Sequence, residues 1–227
     1  MKTLTLSGWT QPADALAATL ELPDAAIFDY SEYVSPEASF EGLRAFADAE
    51  NVIGWSMGGQ LAIQAIAAGI LSPRRLTLLG TPYQFVSGQG FAGGMDPITY
   101  KQFRTSYAKD AARTMQRFAL LMGKGDRAAD RVASLLSHHH EVANTSRWLP
   151  WLDSLGAYSL RDTDVSMFPP TLIVHGEGDA IAPIAQAEML AKKLPHTRLE
   201  RWEEAGHAPH LHDRLRFRES ITRHHTS

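Results

Sequence analysis

The stretch Val52-Ile53-Gly54-Trp55-Ser56-Met57-Gly58-Gly59 decides how this chain is read. An apolar strand runs into G-x-S-x-G, and a second apolar stretch (Leu61, Ile63, Ala65, Ile66) follows with the length and spacing of a helix. A serine between such a strand and such a helix sits on a sharp turn with strained dihedrals. Small residues two before and two after it keep the flanking backbone from clashing. The plainer alternative is a glycine-rich connection whose serine only caps the helix. The elements on both sides favour the turn that lifts a nucleophile.

Outward from the motif, short apolar runs alternate with helical patterns. Strands are expected at Thr3–Leu6, Ala25–Phe28, Asn51–Trp55, Leu76–Leu79, Thr171–His175 and Arg198–Trp202. Helices are expected at Asp14–Leu20, Pro36–Ala49, Met57–Ile70, Ala185–Leu194 and His210–Thr222. Such alternation implies a mostly parallel central sheet of about six strands with helices on both faces. From about Gly90 to Asp164 the pattern is helical only, with Phe118, Leu121 and Met122, then Val132, Leu135 and Leu136, at helical spacing. The expected division is a core of residues 1–89 and 165–227, with an all-helical cap, residues 90–164, above the strand C-termini, where open α/β sheets bind ligands.

A serine hydroxyl needs a base, and the base needs an orienting acid. In the α/β-hydrolase fold the chain order is serine, acid, histidine. Gly176-Glu177-Gly178-Asp179 places an acid at the end of the expected strand Thr171–His175, and Glu203-Glu204-Ala205-Gly206-His207 places a histidine after the next strand. Ser56, Asp179 and His207 thus converge on one sheet edge as nucleophile, orienting acid and general base. Glu177 is the rival acid and reads as a solvated loop carboxylate. Of ten histidines, His210 and His212 fall in the expected last helix, and His138-His139-His140 are consecutive, so they point apart and cannot all face one metal. The amide of Met57, and that of Trp9 in the loop Ser7-Gly8-Trp9-Thr10, are the expected oxyanion donors.

Composition narrows the rest. With 44% hydrophobic and 21% charged residues the chain has globular proportions. A net charge of −3 gives no general attraction to nucleic acid or anionic lipid. The absence of cysteine excludes thiolate catalysis and disulfides. No leader or membrane span is read at Met1–Trp9 or later, so a cytoplasmic protein without metal or organic cofactor is expected. Between Lys101 and Arg131 eight basic residues stand against three acids, a local balance of +5. Arg113 and Arg117 are i,i+4, as are Arg127 and Arg131, so each pair shares a helical face. A solvated face with internal Asp–Arg pairs is the ordinary reading of such a pattern.

Gly54-Trp55-Ser56-Met57-Gly58-Gly59, Ser7-Gly8-Trp9 and Ala205-Gly206-His207-Ala208-Pro209 together resemble the pimeloyl-acyl carrier protein methyl ester esterases of biotin synthesis. The resemblance runs from Thr3 to about Arg218. It also covers Arg113-Thr114-Met115-Gln116-Arg117-Phe118 and Arg127-Ala128-Ala129-Asp130-Arg131. It implies a monomeric carboxylesterase that forms an acyl-enzyme, with the four arginines holding an acidic acyl carrier protein. Trp9, Phe118 and Met122 would then line the acyl pocket, with Leu135, Trp148 and Trp151 as further apolar surface. The chain departs from the family pattern in three places. Ser7 stands where the family carries histidine, Asp29-Tyr30-Ser31-Glu32-Tyr33 lacks the usual Pro-Gly-x-Gly turn, and the chain begins one or two strands late.

Overall fold

A computed structural model describes residues 2–138 and 145–226. Its strands are β1 (Thr3–Leu6), β2 (Ala26–Ile27), β3 (Asn51–Trp55), β4 (Arg75–Leu79), β5 (Thr171–Gly176) and β6 (Thr197–Trp202). They form one sheet in the order β2-β1-β3-β4-β5-β6, and every pairing is parallel. Parallel strands covered on both faces read as continuous apolar runs. The interior strand β3 does so, with Val52, Ile53 and Trp55 all buried.

Between the strands run α1 (Ala15–Leu20), α2 (Pro36–Leu43) and α3 (Met57–Ala67). The helix expected over Pro36–Ala49 stops earlier and tightens into a 3₁₀ turn at Arg44–Phe46. Four helices, α4 (Pro97–Lys109), α5 (Ala111–Gly123), α6 (Ala129–His138) and α7 (Thr145–Ala157), lie between β4 and β5. Asp96 caps α4 with its carboxylate on the Ile98 and Thr99 amides, and Pro97 occupies the first turn, where a missing N–H is harmless. Asp110 caps α5 in the same way through Arg113 N–H. An ion pair between Arg104 and Asp153 ties α4 to α7.

After β5 come α8 (Ala185–Lys193), α9 (Pro209–His212) and α10 (Arg214–Thr226). The single last helix expected at His210–Thr222 is two helices, because Asp213 leaves the helical conformation (φ −141°, ψ 93°) and caps the next helix through Arg216 N–H. Among the described residues no helix is long and apolar enough to cross a membrane.

The chain runs from β1 outward to β2, then returns to β3 on the other side of β1. The two connections leaving β1 and β3 therefore diverge, which opens a crevice at the carboxyl ends of these neighbouring strands. The loop after β1 and the turn after β3 both empty into that crevice.

Candidate active site

Ser56 follows β3 directly and holds φ 54°, ψ −118°, a conformation that non-glycine residues avoid. Close packing maintains it. A Cβ on Gly58 would fall 2.1 Å from the carbonyl oxygen of Leu6 in β1, and one on Gly54 would fall 2.6 Å from the Gly59 Cα. Ser56 also fails to act as a helix cap: its side chain makes no bond to the first turn of α3. Its hydroxyl lies 3.0 Å from His207 Nε2 instead.

His207 stands in the loop after β6, and its Nδ1 lies 2.8 Å from Asp179 Oδ2. Asp179 stands in the loop after β5, where its other oxygen accepts the amides of Ile181 and Ala182, both at 2.8 Å. The Asp179 side chain is fully buried and that of His207 nearly so. Burial by itself raises the Asp179 pKa, but the charge of His207 and hydrogen bonds from His175 and His207 outweigh it, so the carboxyl sits far below its ordinary value. An ionised Asp179 fixes the proton on His207 Nδ1 and leaves Nε2 as an acceptor for the Ser56 hydroxyl.

Two histidines that the sequence places only in a strand (His175) and in the last helix (His210) complete this surround. His175 Nε2 lies 2.6 Å from the Ala182 carbonyl, so that nitrogen carries the proton, and it also comes within 3.3 Å of Asp179 Oδ2. His210 packs edge-on against Trp55 at 4.7 Å. Burial, then the nearby charge of His207, hold its pKa down at about 3, so it is neutral beside the site. Glu177 takes no part; it pairs with Arg201 at 2.8 Å on the surface. His139 and His140 lie outside the described residues, and among those described no three His, Asp or Glu side chains are grouped to hold a metal ion.

Met57 is the first residue of α3, so its N–H has no intrahelical acceptor. Gly8 and Trp9 line the cavity in front of Ser56 and His207. The loop that presents them is tied down at Ser7, whose hydroxyl donates to Ala13 O and accepts from Leu16 N–H, and whose carbonyl accepts Tyr30 Oη–H at 2.9 Å. Serine thus anchors the loop where the family pattern has histidine. The Trp9 indole reaches across to donate to the Trp148 carbonyl at 2.9 Å.

Phe118 and Met122 line the same cavity, with Phe103, Leu152, Leu155 and Ile181. Trp148 and Trp151 do not: α7 turns both toward Tyr30, at 5.8 and 4.6 Å, and buries them. Leu135 is partly exposed on α6. Helical spacing showed that these residues share apolar faces, and it left open which face meets the cavity. The two arginine pairs also differ. Arg127 pairs with Glu204 at 2.9 Å, and Arg131 donates to the carbonyls of Leu211 and His212, both at 3.0 Å. Arg117 instead borders a surface groove between α4 and α5.

A sequence model described as the alpha/beta hydrolase family matches residues 5–219. The chain belongs to the alpha/beta hydrolase family. Within this family the chain is 35% identical, over 170 residues, to the pimeloyl-[acyl-carrier protein] methyl ester esterase of Aromatoleum aromaticum, covering 70% of this chain and 67% of that protein. The protein of that name from Nitrosomonas europaea is 29% identical over 166 residues, covering 71% of this chain and 65% of the relative. The matches thus span about two thirds of these relatives' length. Among solved structures, an esterase from Exiguobacterium antarcticum superposes with a TM-score of 0.83 at 19% identity, covering 100% of this hydrolase and 92% of that chain. A bromoperoxidase from Bacillus anthracis superposes at 0.84 and 17%, with the same coverage. At such identities these structures speak for the fold alone.

Proposed function

We propose that this chain is a serine carboxylesterase and that its substrate is a methyl ester carried on acyl carrier protein, pimeloyl-acyl carrier protein methyl ester. The observation that carries the reading is the unbroken hydrogen-bonded series Ser56–His207–Asp179, at 3.0 and 2.8 Å, facing an apolar cavity. The identity to esterases of that name supports the substrate.

Ser56 Oγ attacks the ester carbonyl while His207 Nε2 takes its proton, and Asp179 stabilises the imidazolium. The amides of Met57 and Trp9 hold the oxyanion. His207 protonates the departing methanol, leaving an acyl-serine that water hydrolyses by the reverse route. Phe118 and Met122 receive the acyl chain beside Trp9. The helices α4–α7 act as the cap, and the basic face bearing Arg113, Arg117, Arg127 and Arg131 attracts the acidic carrier by its field.

A second reading, a general esterase or lactonase for small free esters, is favoured by one observation: Arg127 and Arg131 already have partners within the chain. Complementation of a biotin-requiring strain that lacks its own pimeloyl methyl ester esterase tests the two. Growth with the wild type and none with Ser56→Ala supports the carrier-linked substrate. No growth, with p-nitrophenyl ester hydrolysis intact, supports the second. A fluorophosphonate that fails to label Ser56 would leave only a ligand-binding role.

A further inference from the structure

The turn between α5 and α6 touches both loops that carry the histidine and its acid. His207 N–H donates to the Met122 carbonyl at 3.2 Å, and the preceding Gly206 N–H donates to Asp126 Oδ2, also at 3.2 Å. Two successive amides of the histidine loop therefore rest on this turn. On its other side the backbones of Gly125 and Gly178 meet so closely that a Cβ on Gly125 would lie 2.0 Å from the Gly178 oxygen. Gly178 immediately precedes Asp179. The turn is wedged against both loops, the one before Asp179 and the one that carries His207.

Asp126 is the side chain that fastens it. Its carboxylate is fully buried and accepts from three donors: Gly206 N–H on Oδ2, and Ala128 N–H at 2.7 Å and His212 Nδ1 at 3.0 Å on Oδ1. The Ala128 bond serves the turn itself. The other two reach the segment on either side of His207. An amide in place of the carboxylate would turn an N–H₂ toward one of these donors and leave it unpaired in a buried place, whereas an ionised carboxylate accepts on both oxygens.

We infer that Asp126 is a positioning residue for the general base: by holding Gly206 N–H and His212 it keeps His207 Nε2 in reach of Ser56 while Nδ1 stays on Asp179. The inference rests on the proposed Ser56–His207–Asp179 catalysis. Asp126 lies outside the cavity lining, so its loss leaves ester binding intact and misplaces the imidazole.

The test compares Asp126→Asn and Asp126→Ser with the wild type in p-nitrophenyl butyrate hydrolysis. Serine retains a hydroxyl able to cap Ala128 N–H but is too short to reach Gly206. Both variants are expected to lose about 10- to 100-fold in kcat, the scale on which an ångström of misplacement acts, with KM within about twofold. The downfield proton resonance of the His207 Nδ1–H···Asp179 bond, assigned by its absence in His207→Gln, should broaden or move upfield in both. Wild-type kcat and an unchanged resonance in Asp126→Ser would overturn the inference and reduce Asp126 to a helix cap. A kcat loss that merely follows the unfolded fraction by circular dichroism would also overturn it. Activity surviving in Ser56→Ala would instead overturn the catalytic reading beneath it.

Discussion

The indole N–H of Trp55 donates to the backbone carbonyl of His207 at 3.0 Å. The residue that precedes Ser56 in sequence thus holds His207 in space, across the end of the sheet. Replacing Trp55 by phenylalanine keeps an aromatic ring in this buried place and removes the donor. The His207 carbonyl then loses its partner, which costs about 1–3 kcal/mol. Urea unfolding should register that loss, and kcat for a small ester should fall by a larger factor than KM changes.

Gly58→Ala tests the packing that holds the strained serine. The added methyl would meet the Leu6 backbone at 2.1 Å, and backbone in an interior strand has no room to yield. Destabilisation of at least about 3 kcal/mol is expected, at or beyond the upper end of ordinary overpacking. Gly90→Ala makes the comparison: its φ is +84° but nothing lies within 4 Å, so only the conformational cost of about 1–2 kcal/mol applies. Equal midpoints in denaturant for the two variants would contradict this account.

His210 links acid stability to the site. Its folded pKa is held at about 3, below the ordinary 6.5, by burial and then by the charge of His207. Below pH 6.5 the unfolded chain takes up a proton that the folded chain refuses. Stability therefore falls as pH drops from 6.5 toward 3, by about 3 kcal/mol at pH 4 from this group. In His210→Phe the melting temperature should decline less between pH 7 and pH 4 than in the wild type.

The arginine pairs should separate by substrate. Arg113→Glu with Arg117→Glu is expected to raise KM for the carrier-linked ester by about tenfold at low salt, less at high salt, and to leave a small ester unaffected. Arg127→Glu removes the ion pair to Glu204 and sets two carboxylates together beside the histidine loop. It should therefore reduce turnover of both substrates. Steady-state kinetics on the two esters distinguishes these outcomes.

Much of this was legible in the sequence. Ser56 follows directly on β3, and Asp179 and His207 stand in the loops that leave β5 and β6. The strand pattern alone therefore put all three at the same edge of the sheet, where the structure has them within hydrogen-bond reach. The interior strands β3 and β5 were legible as nearly unbroken apolar runs because both their faces are covered, whereas the edge strand β6 carries charged residues and is mostly unburied. Asp126 was not, because an aspartate in a turn beside glycine and arginine looks solvated until the histidine loop is laid over it. His175 was hidden within a strand pattern that its ring does not break. For α5, α6 and α7, helical spacing shows which residues share a face and is silent on which way the face turns. Phe118 therefore meets the cavity while Trp151 packs under Tyr30.

The sheet order has a consequence during synthesis. β3 and β4 pair early, but β4 takes its other neighbour, β5, only from residue Thr171 onward, and β6 follows last. Pairings between such distant segments are slow to form, and chains are made from the N-terminus. A nascent chain therefore carries Ser56 long before Asp179 and His207 have left the ribosome. On the proposed Ser56–His207–Asp179 catalysis, ester cleavage begins only when the last quarter of the polypeptide has emerged and docked, and premature termination anywhere before His207 is expected to leave a product inert toward esters.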